Sequence, residues 1–259
     1  MIEFYRFKSF SEKKNVHHAV TTKSDLHPYT FSLALHTGEE TESIVKNRRT
    51  LAHTLAMKEN VHFVVANQTH SDHIKVIHAQ ESKGWESLDD VIEDCDALIT
   101  QEKNIILTIL TADCVPILLY DPKKEVIAAV HAGWKGTKAK IAAKTVLEMQ
   151  IMFGCKAENI LAGVGPAIGK CCYEVGEDVA EHFLDLPGGY EKQEEKYQLD
   201  LPYINKYQLL ETGLSEAHIE MSRVCTACET ERFFSYRKEQ GCSGRFMSLI
   251  GMSEDADEV

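Results

Sequence analysis

Cys114 and His131 are the residues of this chain whose types and setting best suit chemistry. Within LTADCVPILLYDPKKEVIAAVHAGWKGT, residues 110–137, Cys114 precedes one apolar run and His131 ends the next. The runs Val115 to Tyr120 and Val126 to His131 read as strands. The Asp121-Pro122-Lys123-Lys124-Glu125 break between them predicts a hairpin-type connection. Antiparallel pairing of the two runs brings Cys114 and His131 to the same sheet edge. A thiolate and an imidazole there can share a metal ion or act as a nucleophile and its base. A small core cysteine and an ordinary turn histidine are the bland alternative.

His70 stands in Asn67-Gln68-Thr69-His70-Ser71, directly after the strand-like VHFVVA, so it also lies at a strand end. Such a histidine is more often a satisfied loop residue. Convergence with Cys114 and His131 would instead give two imidazoles and one thiolate, the ligand set of a catalytic zinc site with its fourth position open to water or substrate. The three are far apart in sequence, and no spacing rule joins them.

Other residues carry weaker signals. Gly136-Thr137 leads into a helix with Thr137 as a candidate N-cap, and Lys135 beside the free amides would suit an anion such as phosphate. Gly133 and Gly136 form neither a Walker motif nor a dinucleotide fingerprint, so a tight turn is the better reading of them. Arg48, Arg237 and Arg245 are further candidate anion binders. Cys225-Thr226-Ala227-Cys228 is a CxxC that would mark a zinc ribbon if a second pair followed, but only Cys242 lies downstream. Vicinal Cys171-Cys172 reads as part of a buried loop rather than as a ligand pair.

The elements that must position these residues are modest in number. Helices are predicted over Glu42 to Met57, Thr137 to Met152 and Leu201 to Thr212, each with apolar residues three or four apart. Strands are predicted at Val61 to Ala66, Ile74 to His78, Ala97 to Thr100, Ile105 to Leu110, Val115 to Tyr120, Val126 to His131, Ile160 to Val164 and Arg245 to Ile250. Adjacent strands joined by a hairpin favour a mixed or antiparallel α+β sheet over a doubly wound parallel one. Asp185 to Gln198, with Pro-Gly-Gly and many charges, is the expected long surface excursion. One domain is expected over residues 1–252, with the acidic 253–259 segment, SEDADEV, as a solvated tail.

The 259 residues carry 28 basic and 40 acidic side chains, a net charge of −12, which argues against a sequence-independent grip on nucleic acid. No apolar run approaches the roughly 20 residues that cross a bilayer, and the start, MIEFYRFKSFSEKKN, is too charged for a secretory signal. The eight cysteines are dispersed, and most are expected to be reduced thiols in a cytoplasmic protein. Small molecules are the expected partners, with the chain a monomer or weak homodimer.

At these residues the sequence resembles the laccase-domain family, also termed multi-copper polyphenol oxidase or YfiH-like. The matching pieces are Asn47-Arg48, Gln68-Thr69-His70-Ser71, Asp96-Ala97-Leu98, Thr111-Ala112-Asp113-Cys114-Val115-Pro116, His131-Ala132-Gly133-Trp134, Gly165-Pro166-Ala167-Ile168-Gly169, Phe233-Phe234-Ser235-Tyr236-Arg237 and Gly244-Arg245. They span nearly the whole chain. The resemblance implies a single α+β domain of mixed sheets with flanking helices, akin to a cysteine-hydrolase toxin. It also implies one zinc per chain on His70, Cys114 and His131.

The implied activities are phosphorolysis of adenosine, inosine, guanosine and methylthioadenosine, with phosphate as co-substrate, and adenosine deamination. Lys135 stands where the family usually has arginine, which replaces a planar fork by a point charge. Arg48, Lys135 and Arg237 are the expected substrate-binding cations. The rival readings are a cysteine hydrolase or amidase acting in peptidoglycan precursor editing and, third, a copper-dependent phenol oxidase. A multicopper oxidase needs many His-x-His pairs, and this chain has none.

Overall fold

Val115–Asp121 (VPILLYD) and Val126–Ala132 (VIAAVHA) form the centre of the fold, and every residue of both strands is buried. A strand covered on both faces needs apolar side chains on both, which is why these read as continuous rather than alternating runs. They pair antiparallel, with Val115 opposite Ala132, Pro116 opposite His131 and Asp121 opposite Val126. The Asp121 carboxylate accepts the amides of Lys123 at 2.8 Å and Lys124 at 3.1 Å, and Glu125 turns the chain at φ 52°. The expected hairpin is present, and its open end carries Cys114 and His131.

The computed structural model describes residues 2–55, 60–78, 81–241 and 243–253. The hairpin lies in a six-stranded sheet of order Ile219–Met221, Leu161–Val164, Val115–Asp121, Val126–Ala132, Ala97–Thr100, Ile74–Val76. A five-stranded sheet runs Phe4–Tyr5, Val16–Thr21, Phe246–Met252, Ile105–Thr111, His62–Val65. The inner pairs of both sheets are antiparallel, and Ile74–Val76, Ile219–Met221 and His62–Val65 join as parallel edge strands. The fold is therefore the mixed α+β arrangement expected from the hairpin.

Alternation along each strand builds three cores. Leu118, Tyr120, Ile127 and Ala129 of one sheet pack against Val64, Leu107, Ile109 and Ile250 of the other. Their neighbours Ile117, Leu119, Ala128 and Val130 face the helices Ile141–Phe153 and Leu201–Glu211. On the far side, Ile106, Leu110 and Leu249 pack with Leu51 of the helix Thr41–Thr54 and with the stacked rings of Phe63 and Trp85. The order is helix, sheet, sheet, helix.

Differences from the sequence reading are local. All eight predicted strands are present, with no end shifted by more than two residues. The second predicted helix begins at Ile141 rather than Thr137, because Lys140 adopts φ 61° and separates it from a short helix, Trp134–Lys138. Thr137 lies inside that short helix, where its amide bonds to Gly133 O at 2.8 Å and its hydroxyl accepts from Asn205 at 2.9 Å. It is not an N-cap; the short helix starts at Trp134, with Gly133 in the N-cap position. The Asp185 to Gln198 excursion holds a polar hairpin, Tyr190–Gln193 with Lys196–Leu199. The first predicted helix ends at Thr54, and Met57 lies outside the described residues, as does the acidic segment from 254 onward.

Candidate metal centre

Three chain segments meet at the open end of the central hairpin. Cys114 immediately precedes the strand Val115–Asp121, His131 is the penultimate residue of Val126–Ala132, and His70 lies in the loop between His62–Val65 and Ile74–Val76. Ligand atoms of His70, Cys114 and His131 all lie within 4.8 Å of one another, with Cys114 Sγ 3.8 Å from His70 Nε2. The two imidazoles meet edge to face at 4.9 Å.

Asp96 holds the arrangement together. It is fully buried, just before the strand Ala97–Thr100, and its Oδ1 lies 2.6 Å from His131 Nδ1. Its Oδ2 accepts from the amide and hydroxyl of Ser71, both at 2.7 Å, while Oδ1 accepts the His70 amide at 3.1 Å. One carboxylate thus fixes the His131 ring and the loop that carries His70. Burial alone would raise the Asp96 pKa, but its bonds to His131 and Ser71 lower it to about 2. An ionised partner on Nδ1 leaves His131 Nε2 as the nitrogen that faces the centre, the usual carboxylate–histidine–metal geometry.

The same network favours the thiolate form of the sulfur. Burial pushes the Cys114 thiol up, yet the charges and hydrogen bonds of His131 and His70 outweigh it and hold the group below its ordinary range. His131 moves the other way: burial disfavours its cation, and Cys114 with Asp96 raises it. Thiolate is the form that ligates metal or attacks carbon. Space is kept by Gly133, where a Cβ would sit 2.8 Å from His70 Cδ2 and 3.1 Å from Cys114 Sγ. His70 at φ 61° and Asp113 at φ 87° are held in left-handed backbone, a strain that side-chain-bearing residues tolerate only where surrounding bonds enforce it.

The donors form part of the floor of a cavity of about 490 Å³. Its walls are His36, Gln68, Trp134, Ile168, Tyr173, Tyr236, Arg237 and Arg245. Arg237 lies over the Tyr173 ring at 5.3 Å and donates through Nη1 to Glu174 O at 2.8 Å. Arg245 lies 5.7 Å from the Tyr236 ring and donates through Nη1 to Gly244 O at 2.9 Å. Two guanidinium groups, two phenol rings and an indole can accept a flat aromatic ligand bearing or accompanied by an anion. A larger depression of about 1030 Å³ along the Thr41–Thr54 helix is lined mainly by charged and polar residues and holds no such constellation.

The structure brings His70, Cys114, His131 and Arg237 together and leaves two other expected residues out. Arg48 is 1% exposed, and its guanidinium is spent on the carbonyls of Leu33 at 2.8 Å, Gly84 at 2.6 Å and Trp85 at 2.7 Å. It is a buried strut beneath Trp85 rather than a cavity residue. Lys135 is exposed, with its ammonium 5.7 Å from the Trp134 ring, and it does not line the cavity. Asp96 enters the sequence reading only within the matching piece Asp96-Ala97-Leu98, without a role, and His36 and Tyr173 are given none. An acidic residue directly before the strand-like run ALIT is the available local signal for Asp96.

The multi-copper polyphenol oxidoreductase laccase family matches residues 17–253. The chain belongs to this family. It is similar to the purine nucleoside phosphorylase of Bacteroides thetaiotaomicron, 35% identical over 94% of each chain. It is also 33% identical to adenosine deaminase RL5 of an unknown prokaryotic organism, over 85% of this chain and 86% of that one. Among solved structures, YlmD from Geobacillus stearothermophilus superposes with a TM-score of 0.89 at 31% identity, over 96% of this chain and 94% of that chain.

Proposed function

We propose that the chain is a zinc-dependent purine nucleoside phosphorylase that also deaminates adenosine, with one zinc at this centre on His70, Cys114 and His131. The observation that carries the reading is a three-donor centre on the floor of a cavity walled by aromatic rings and two arginines, in a chain whose relatives are named for these two activities. Zinc suits the donors: two imidazoles and a thiolate within 4.8 Å, with His131 oriented by Asp96, are a three-ligand set that leaves a fourth position open. A zinc held there supplies Lewis-acid chemistry at that open position, which is what displacement of the adenine amino group requires.

Phosphorolysis asks other things of the protein. Tyr173, Tyr236 and Trp134 line the cavity and supply aromatic surface against which a purine would pack. Arg237 and Arg245 are each anchored through Nη1, so their remaining donors can hold phosphate against C1 of the ribose. An oxygen of hydrogen phosphate bonds to that carbon as the glycosidic C–N bond breaks, the bond pair leaves with the purine, and the departing base gains a proton that balances the one hydrogen phosphate gives up. His70 and His131 cannot supply that proton from a nitrogen engaged with metal.

Product analysis with inosine tests the reading. Hypoxanthine release should require phosphate and be matched by ribose 1-phosphate. Equal release in phosphate-free buffer, with free ribose as product, would mark a nucleoside hydrolase instead. Adenosine, guanosine and methylthioadenosine are the further substrates of the same assay, and inosine formation from adenosine reads the deaminase. Copper rather than zinc on elemental analysis, with turnover of phenols, would return the phenol oxidase.

A further inference from the structure

The CxxC at 225–228 has its second pair after all, and that pair lies upstream. Sγ atoms of Cys171, Cys172, Cys225 and Cys228 all lie within 4.8 Å of one another. Cys228 Sγ is 3.7 Å from Cys171 Sγ and 3.4 Å from Cys172 Sγ, and none of the four is in a disulfide. A tetrahedral zinc with Zn–S of about 2.3 Å places its sulfurs about 3.8 Å apart along each edge. A disulfide would need about 2.05 Å.

The surroundings fit a metal better than packing. A cysteine's usual fate is burial as a small apolar group, yet Cys171 and Cys228 are exposed and the other two only half-buried. The backbone is pressed against the sulfurs: Gly169 N–H donates to Cys225 Sγ at 3.3 Å, and a Cβ on Gly169 would lie 3.4 Å from Cys171 Sγ. Amide donors of this kind stabilise a ligating thiolate.

We propose that Cys171, Cys172, Cys225 and Cys228 form a second metal site, a structural zinc tetrathiolate separate from the His70, Cys114 and His131 centre. Its place in the fold gives it a task. Ala167 pairs with Cys225 across an isolated bridge, and Thr226 N–H bonds Ala167 O at 3.0 Å. Thr226 Oγ1 then reaches Asp113 Oδ1 at 2.6 Å, and Asp113 Oδ2 accepts the Arg237 amide at 2.7 Å. Ile168 and Tyr173, which wall the cavity, flank the Cys171-Cys172 pair. The ion clasps the loop that carries these two residues to the turn that leads to Arg237, and so holds one wall of the cavity without touching substrate.

Elemental analysis of the full chain, purified under reducing conditions, tests the site. Wild type should hold two zinc ions per chain, Cys225→Ser/Cys228→Ser one, and His70→Ala the other one. Loss of zinc only in His70→Ala would contradict the thiolate site and leave the proposed function standing; the converse loss would support the thiolate site and remove the active-site metal. The double variant should also show a raised KM for nucleoside, through displacement of Tyr173 and Arg237. If that variant does not fold, wild type alone decides: the four cysteines should resist iodoacetamide with metal bound and label after chelation. Ready labelling of all four in untreated protein, or their recovery as disulfides from protein never exposed to oxidant, would overturn the proposal.

Discussion

Asp96 is the single residue on which the geometry of the centre most depends. Its carboxylate reaches His131, Ser71 and the His70 amide at once, and it is fully buried. Asp96→Asn keeps the shape but loses the charge that favours the Nδ1-protonated ring. Metal affinity should fall about 10- to 100-fold, the usual consequence of removing such a partner. Competition with a chromophoric chelator reads this directly, and unchanged affinity would show that the loop positions His70 and His131 without the carboxylate.

His18 gives a prediction of a different kind, in stability against pH. It is 2% exposed and accepts the Phe7 amide on Nε2 at 2.8 Å, so it must stay neutral. Burial, with Arg6 nearby, lowers its pKa to about 4. The unfolded chain, with an ordinary histidine, takes up a proton first as pH falls, so the native state loses stability from about pH 6.5 down to about pH 4 and no further from this group. The full loss is about 3 kcal/mol, from 1.36 kcal/mol per pH unit. Denaturant unfolding across that range should show the slope in wild type and a reduced slope in His18→Gln.

At the scale of elements, the hairpin and its neighbours were legible because burial on both faces writes a continuous apolar run into the sequence. Ala97–Thr100, read as ALIT, was delimited without error for that reason. The strand Val16–Thr21 was missed because two histidines, VHHAVT, interrupt the pattern, and one of them is the buried His18. The strand Tyr190–Gln193 is illegible because its residues are polar and largely exposed, while its partner Lys196–Leu199 alternates buried Tyr197 and Leu199 with more exposed neighbours over too few residues to stand out. Leu118 sits between the two sheets at 1% exposure, and Leu118→Ala should cost about 2–5 kcal/mol of unfolding free energy. Its side chain faces away from the helices, so zinc content should be unchanged. A smaller cost would mean that the sheets close over the gap.

For the whole molecule, the convergence of His70, Cys114 and His131 could be argued only in part from sequence. The hairpin register joins Cys114 to His131, but nothing local joins either to His70, which arrives through the crossover between the two sheets. The four-cysteine cluster was read as unpaired for the same reason: a spacing rule looks forward along the chain, and the partner pair lies more than fifty residues back. Arg48 and Lys135 lie outside the cavity, which the sequence does not reveal because exposure and direction of a cation are tertiary facts. With Lys135 outside the cavity and Arg237 inside it, Arg237→Ala should raise the phosphate concentration needed for half-maximal inosine cleavage, while Lys135→Ala should change it little. Steady-state kinetics at varied phosphate separates the two, and the reverse order would move the anion site to the short helix Trp134–Lys138.

The choice between metal ligand and nucleophile at Cys114 divides the phosphorylase reading from the cysteine-hydrolase one, and iodoacetamide labelling read by peptide mass spectrometry alongside inosine turnover decides it. A thiolate engaged by zinc has its lone pairs committed, so Cys114 should resist alkylation in the metal-replete enzyme, with chelation exposing it and abolishing turnover together. Cys95, buried with its thiol pushed up to about 11 by burial, serves as the unreactive comparison. Full turnover in a chelated sample whose Cys114 labels rapidly would contradict the zinc centre and leave Cys114 and His131 as the nucleophile and base of a hydrolase.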